Sequence, residues 1–367
     1  MYEIDPQGDV VLTLRNPNAL FAVWDGPEPP PPPAPNEQPT EPDYEETKYA
    51  DYEDEYAGDF ITHSGPSDEP IVIEADKTEP ADPPNDHHIQ NSDPEPQFRL
   101  SSRHLILGSE YFKHTLTGPW KENALVASDG YRSVETEDWD LNALLILMRI
   151  IHCRNREVPR TVSLEMLAKI AVLVDYYQCH EAVEVWSDLY IDKLKDSIPT
   201  TLNRNLILWI LISLVFDKKA LFRDVTKTAL EHGQGGLPTL GLPIAVVADE
   251  IDEQRQEFVH RVFTHMHGLL GLLRDGEAGC SFECSSMMLG ALTMQMHSHG
   301  ILDPQPQPPY SGYGIKSVME LVRGFKSPEW STPTHRRSYA HGCNLSGLFD
   351  EKMNSTVAGL ELKDIRR

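Results

Sequence analysis

The first element written in the apolar pattern is short. Asp9-Val10-Val11-Leu12-Thr13-Leu14 is a β-rich run closed by the turn signal Asn16-Pro17-Asn18. A second run, Ala19 to Trp24, extends or pairs with it before Gly26 and Pro27. Much later Phe98-Arg99-Leu100 alternates like a strand edge. Ser101 or Ser102 then caps a helix through Leu107, and Ser109 caps another from Glu110, stopped by Gly118-Pro119. Short β-like pieces, Leu125 to Ala127 and Tyr131 to Val134, flank the turn Ser128-Asp129-Gly130. Asp140 caps Leu141 to His152, which is apolar almost all round and so belongs in the middle of a core.

Helical spacing dominates from there on. Ser163 caps a helix with Leu164, Leu167 and Ala171 in register. Glu181 to Leu194 follows, with Val185, Leu189 and Leu194 on its apolar side. Thr200 or Thr201 begins a helix centred on Leu206 to Phe216, and Ala220 to Leu230 is the next. After the Gly/Pro-rich loop Gly233 to Pro243, Asp249 to Leu270 is amphipathic through Val259, Val262, Phe263, Met266 and Leu270. Met287 to Met296 reads as one more helix, and Ile301 to Pro309 as a proline-rich loop. A few short strands followed by a cluster of helices predicts an α+β fold with a mainly helical C-terminal region.

Charge divides the chain. The formal net charge is −25 over 367 residues, and residues 26–97 alone hold 20 Asp/Glu against Lys48 and Lys77. The same window contains 16 of the 29 prolines, including Pro29 to Pro33. Such a segment buries too little apolar surface to offset its ordering entropy, which predicts a disordered acidic insert, extended as polyproline II from Pro27 to Pro35. Within it Tyr49, Tyr52, Tyr56 and Phe60 share helical spacing. They are either scattered aromatics in a solvated linker or a segment that folds onto a basic partner. The expected organisation is a first strand region (1–25), the insert (26–97), a strand-and-helix region (98–195), a helical region (196–300) and a proline-rich loop with tail (301–367).

The residues around the insert resemble a known family. Phe98, Leu105, Ser109 and Phe112 stand as F-x6-L-x3-S-x2-F, and Leu167-x2-Ile170-Ala171-x3-Asp175-Tyr176-Tyr177 fits the same pattern. Together they resemble a BTB/POZ domain over residues 9–25 and 98–190. Arg15-Asn16-Pro17-Asn18 and Ser101-Ser102-Arg103-His104-Leu105 are most similar to its fungal branch. The resemblance implies a BTB/POZ fold interrupted by the acidic insert, and self-association through the N-terminal strand and first helices. Phe98, Leu105 and Phe112 would then face a partner, although core packing explains the same residues equally well. It also implies that Trp120 and Glu122, in Trp120-Lys121-Glu122, are an apolar anchor and its charged companion for a cullin scaffold.

Catalytic signatures are missing: there is no G-x-S-x-G, no P-loop and no kinase set, and His180-Glu181-Ala182-Val183-Glu184 lacks a second zincin His. Gly233-Gln234-Gly235-Gly236 does not make a phosphate-cradling loop. His260, His265 and His267 share one amphipathic helix and are expected to face solvent. Cys153 and Cys179, in or beside apolar helices, are expected to pack. The one metal-ligand pattern is Cys280-x3-Cys284 with His341-Gly342-Cys343, three thiolates and an imidazole suited to a structural zinc; His297, His299 and His335 compete for the fourth place. The alternative is that Cys280 and Cys284 are small buried hydrophobes.

The expectation is therefore a non-enzymatic protein-interaction module with protein partners or a second copy of itself, and specifically an adaptor for a cullin-based ubiquitin ligase. The alternative is a transcriptional or chromatin-associated regulator whose insert recruits basic partners. Net charge −25 argues against direct nucleic-acid or membrane-surface binding. Five cysteines in 367 residues make no disulfide framework, and the longest apolar run, Leu206 to Phe216, is too short to span a bilayer. An intracellular protein of nucleus or cytoplasm is expected.

Overall fold

Four short strands form one mixed sheet, and the computed structural model that contains it describes residues 1–26, 94–118, 130–329, 343–353 and 357–365. The strands are β1 (Tyr2–Glu3), β2 (Val10–Arg15), β3 (Gln97–Leu100) and β4 (Arg132–Glu137), in the order β1-β3-β2-β4. β2 and β3 are antiparallel, with Leu12 opposite Phe98, whereas β4 runs parallel to β2 and β1 parallel to β3. Val10, Leu12 and Leu14 on one face of β2 are fully buried with Phe98 and Leu100 of β3, as a two-residue period requires.

The chain leaves the sheet at Arg15 and re-enters at Gln97 on the neighbouring strand, where the Leu14 amide donates to the Pro96 carbonyl (2.9 Å). Gln97, assigned above to the acidic insert, therefore belongs to β3, and Pro96 just before it already bonds to β2. The expected disordered stretch, the polyproline run and the aromatics Tyr49 to Phe60 lie outside the described residues. Between adjoining strands a long connection adds little closure cost, because that cost grows only logarithmically with length.

The expected strand at Ala19 to Trp24 does not form. Asn16 (φ 42°) and Asn18 (φ 62°) take left-handed conformations on either side of Pro17, which turns the chain out of the sheet. Arg204 then holds the loop by donating to the carbonyls of Ala22 (2.8 Å) and Phe21 (3.2 Å). Gly8 sits so close to β3 that a Cβ there would lie 2.4 Å from the Leu100 carbonyl oxygen, so only glycine fits.

Twelve helices complete the described residues: α1 (Ser102–Gly108), α2 (Glu110–Thr117), α3 (Leu141–Ile151), α4 (Leu164–Tyr177), α5 (His180–Leu194), α6 (Arg204–Val215), α7 (Lys219–His232), α8 (Ala245–Arg274), α9 (Phe282–Ser298), α10 (Ile315–Arg323), α11 (Leu345–Met353) and α12 (Leu362–Ile365). The α+β class is as expected: a small four-stranded sheet in a mostly helical chain. Asp140, Ser163 and Ser109 cap α3, α4 and α2 as their positions imply. The apolar face of α5 is Val183, Trp186, Tyr190 and Ile191, while Val185 is 79% exposed, so the face expected from Val185 is rotated. The aromatic pair Trp186 and Tyr190 supplies the larger area to bury and sets the rotation. Through α6, which packs on both α4 and α7, the second half shares one core with the sheet unit.

The first turn of α1 is capped from a distance. Ser101 occupies the cap position but its side chain makes no capping bond. The carboxylate of Asp9 instead accepts from the Ser102 amide (2.8 Å), the Ser102 hydroxyl (2.8 Å) and Arg132 Nη1 (3.1 Å). Burial alone would raise its pKa; the bonds from Ser102 and the Arg132 charge outweigh that and hold it below the ordinary carboxylate value. Asp9→Ala is expected to destabilise the chain by about 1–2 kcal/mol, the cost of a lost cap. Urea denaturation checks it, and an unchanged midpoint would refute it.

Candidate metal centre

Two of the three thiols come from the turn between α8 and α9. Gly276 (φ 78°) and Gly279 (φ 102°) bend the chain back over the start of α9. A Cβ on Gly279 would meet Ser285 Oγ at 2.7 Å and Cys284 Sγ at 3.3 Å. The Ser281 side chain accepts from the Cys284 amide (3.2 Å), and Ser285 Oγ donates to the Ala278 carbonyl (2.6 Å). These contacts bring Cys280, just before the helix, over Cys284 in its first turn.

The third thiol arrives from far along the chain. Cys343 lies two residues before α11, whose Leu345 is fully buried and donates its amide to Ser327 Oγ (2.8 Å). Phe349 packs edge-on against His265 (5.9 Å) and Phe325 (6.1 Å), and His265 Nε2 lies 3.0 Å from the Leu348 carbonyl. The three Sγ atoms fall within 4.8 Å of one another. A tetrahedral zinc with Zn–S bonds of about 2.3 Å separates its sulfurs by about 3.8 Å, so little adjustment brings these three into ligand positions.

Among the described residues this is the one group of three His, Cys, Asp or Glu side chains whose donor atoms converge in this way. Cys284 is buried, Cys343 half-buried and Cys280 exposed, so the cluster has one solvent-facing side. Burial pushes the Cys343 thiol up to about 11, and the adjacent Cys280 and Cys284 add to it. A bound divalent cation would oppose that shift and favour the Cys343 thiolate. The arrangement can therefore hold a soft metal ion.

The other expected site residues separate clearly. His341 and His335 lie outside the described residues, as do Trp120 and Glu122. His297 and His299 are excluded as ligands: His297 is 13 residues beyond Cys284 on the same helix, about 20 Å along its axis. His299 instead stacks on Phe325 (5.8 Å). Phe98, Leu105 and Phe112 are fully buried within the chain, so they are core and not a partner surface. Each points from the sheet, α1 or α2 into the interior, where burying a large apolar side chain stabilises the fold by about 1.5–3 kcal/mol.

His260 is exposed as expected, while His265 and His267 are half-buried, and each of the three also has a polar contact. Besides the His265 contact, His260 Nδ1 lies 2.6 Å from the Tyr310 hydroxyl and His267 Nε2 lies 2.9 Å from the Ile301 carbonyl. Cys179 is buried as expected, with its thiol pushed up to about 12 by burial, but Cys153 is exposed. It stands in a left-handed turn (φ 57°) just beyond α3, outside the apolar helix it follows.

Sequence reasoning passed over Arg255. Its side chain is 1% exposed, and its five N–H donors reach Asp252 Oδ1 (2.9 and 2.7 Å) and the carbonyls of Pro309 (2.7 Å), Tyr310 (3.1 Å) and Tyr313 (2.7 Å). The Asp252-x2-Arg255 spacing was visible, but it reads as an ordinary surface pair on an acidic helix.

Fold and site together define an α+β protein with a small mixed sheet, a helical second half and a three-thiol cluster able to hold a metal. Compared with protein-family models, with curated proteins and with solved structures, the chain matches none. No helix among the described residues is long and apolar enough to cross a membrane.

Proposed function

We propose that this chain is a non-enzymatic protein-interaction module of the BTB/POZ type, which self-associates or binds a protein partner, with adaptor duty toward a cullin-based ubiquitin ligase as its more specific form. The observation that carries the reading is contact between the two sequence stretches that resemble the family. Ser109 of the first caps α2 and donates through Oγ to the Tyr177 carbonyl of the second (2.5 Å), and Phe112 stacks on Tyr177 at 4.9 Å. Both stretches thus serve one packed unit of sheet and helices. Further support comes from β1, an outer strand of the sheet, where Met1 and Tyr2 are exposed. An open strand edge is a template for pairing with another chain.

Two measurements test it. Sedimentation equilibrium on the full chain is expected to show a dimer that Tyr2→Asp weakens at least tenfold. Binding to the N-terminal domain of a BTB-binding cullin is expected to be lost in Glu122→Lys. A folded chain that is monomeric and binds no cullin would overturn the reading.

In the same reading the thiol cluster is a structural zinc site held by Cys280, Cys284 and Cys343, with His341, two residues before Cys343, as fourth ligand. Thiolate and imidazole donors suit zinc, and three protein thiolates with one imidazole leave no open position for catalysis. About one zinc per chain is expected in protein purified without chelator, falling severalfold in Cys284→Ser and in His341→Ala. Elemental analysis at wild-type levels in both variants would refute the ligand set.

A further inference from the structure

We infer that zinc on this cluster governs the docking of α11: the helix is held on the body of the protein when Cys280, Cys284 and Cys343 share an ion, and released when the ion is withdrawn. The inference rests on the zinc reading above and adds a regulated element to it.

The three thiols do not belong to one local structure. Cys280 and Cys284 sit in a turn already fastened by the Ser281 cap, the Ser285 bond to Ala278 and two left-handed glycines. That turn needs no ion to close. Cys343 is 59 positions after Cys284 and two before Leu345, the first residue of α11. An ion shared by all three is therefore a cross-link between the α8–α9 turn and the start of α11.

Among the described residues, the helix it would tether has few other fastenings. It has nine residues, shorter than the roughly 12–15 at which an isolated helix becomes even marginally stable. Its described anchors are the buried Leu345 and Phe349, the half-buried Leu348 packed on the core, the Leu345 bond to Ser327, and the contact of His265 with the Leu348 carbonyl. Phe349 in turn covers Phe325 and His265. Release of α11 would open an aromatic patch made by these two residues, with His299 stacked behind Phe325.

The chemistry lets the ion come and go. Cys280 is exposed, so a chelator reaches the metal without prior unfolding.

Hydrogen exchange on the full chain tests the inference, with zinc chloride as the probe and metal content measured on the same sample. Chelation is expected to speed exchange across 345–353 at least tenfold and leave α3 unchanged; restoring zinc reverses it. Cys343→Ser, which keeps Leu345 and Phe349, should show fast α11 exchange whether or not zinc is added. If the chain binds zinc but chelation leaves α11 protected, the docking inference fails and the zinc reading stands. Loss of α3 protection together with α11 would also overturn it, since the ion would then support the whole fold. A chain that binds no zinc overturns both.

Discussion

Arg255→Met is expected to destabilise the chain by about 3–5 kcal/mol, the usual cost of removing one partner from a buried, hydrogen-bonded charge pair. The guanidinium is 1% exposed and spends every donor, two on Asp252 and three on the carbonyls of Pro309, Tyr310 and Tyr313. Methionine keeps most of the stem volume but removes all five donors, leaving Asp252 with Gln256 (2.6 Å) and the Tyr310 carbonyl with the Tyr313 amide (3.0 Å) while the Pro309 and Tyr313 carbonyls lose theirs. Lysine is expected to recover less than half of the loss. It keeps the charge, yet its three donors on one atom cannot reproduce the planar fork that reaches both Asp252 and the loop. The loop should loosen first, since His260 and Phe263 meet Tyr310 only while that loop is held. Urea denaturation of the three proteins decides the matter. A methionine variant within 1 kcal/mol of wild type, on the scale of an exposed ion pair, would show that the clamp carries little of the stability.

Acid is expected to destabilise the fold above the pH at which Asp9, Asp140 and Glu165 lose their charge, and His152 is the reason. Its ring is buried, takes the Ser101 amide on Nε2 (3.0 Å) and reaches the Met148 carbonyl through Nδ1 (2.8 Å). Both contacts fit the neutral ring, protonated on Nδ1. Burial pushes its pKa down to about 4, helped by His104 stacked at 5.1 Å and by Arg154, while the Met148 carbonyl and Asp5 oppose the shift only in part. The unfolded chain binds this proton near pH 6.5 and the folded chain near 4, so the unfolded state holds more protons between those values. The stabilisation is complete above about pH 6.5 and is lost as pH falls toward 4, about 3 kcal/mol in all. Asp9, Asp140 and Glu165 carry lowered pKa values, and their contributions are lost only below the ordinary carboxylate range. Of these four groups, His152 is the one whose contribution is lost between about pH 4.5 and 6.5. His152→Gln keeps an acceptor for Ser101 and cannot titrate. Its urea midpoint should fall less steeply than wild type over that interval, and a slope as steep as wild type would refute the assignment.

Local pattern reached the strands and most helices because period and caps are properties of a few consecutive residues. Val10, Leu12 and Leu14 announce a half-buried strand, and Asp140 and Ser163 announce the helices they cap. It failed where a partner distant in the chain competes. Val185 has the right spacing for an apolar face, but Trp186 and Tyr190 take that face. Ser101 stands where a cap belongs, yet Asp9 does the capping. Phe98, Leu105 and Phe112 carry the family resemblance, and nothing in their spacing separates a core from an interface.

The cysteine site divides in the same way. That Cys280, Cys284 and Cys343 offer a metal-ligand pattern was legible from residue type and spacing, because C-x3-C across the turn that enters α9 is a local fact. That Cys343 meets the other two, and that His297 and His299 do not, depends on where α11 docks and on the length of α9. The sequence by itself determined the element types, the caps and the chemistry on offer, since those follow from backbone preference and side-chain donors within a turn or two. Tertiary structure alone decided which apolar residues face inward, which charge is clamped and which thiols converge. Those outcomes are set by long-range packing, where the free energy of a position depends on neighbours that sequence distance does not reveal.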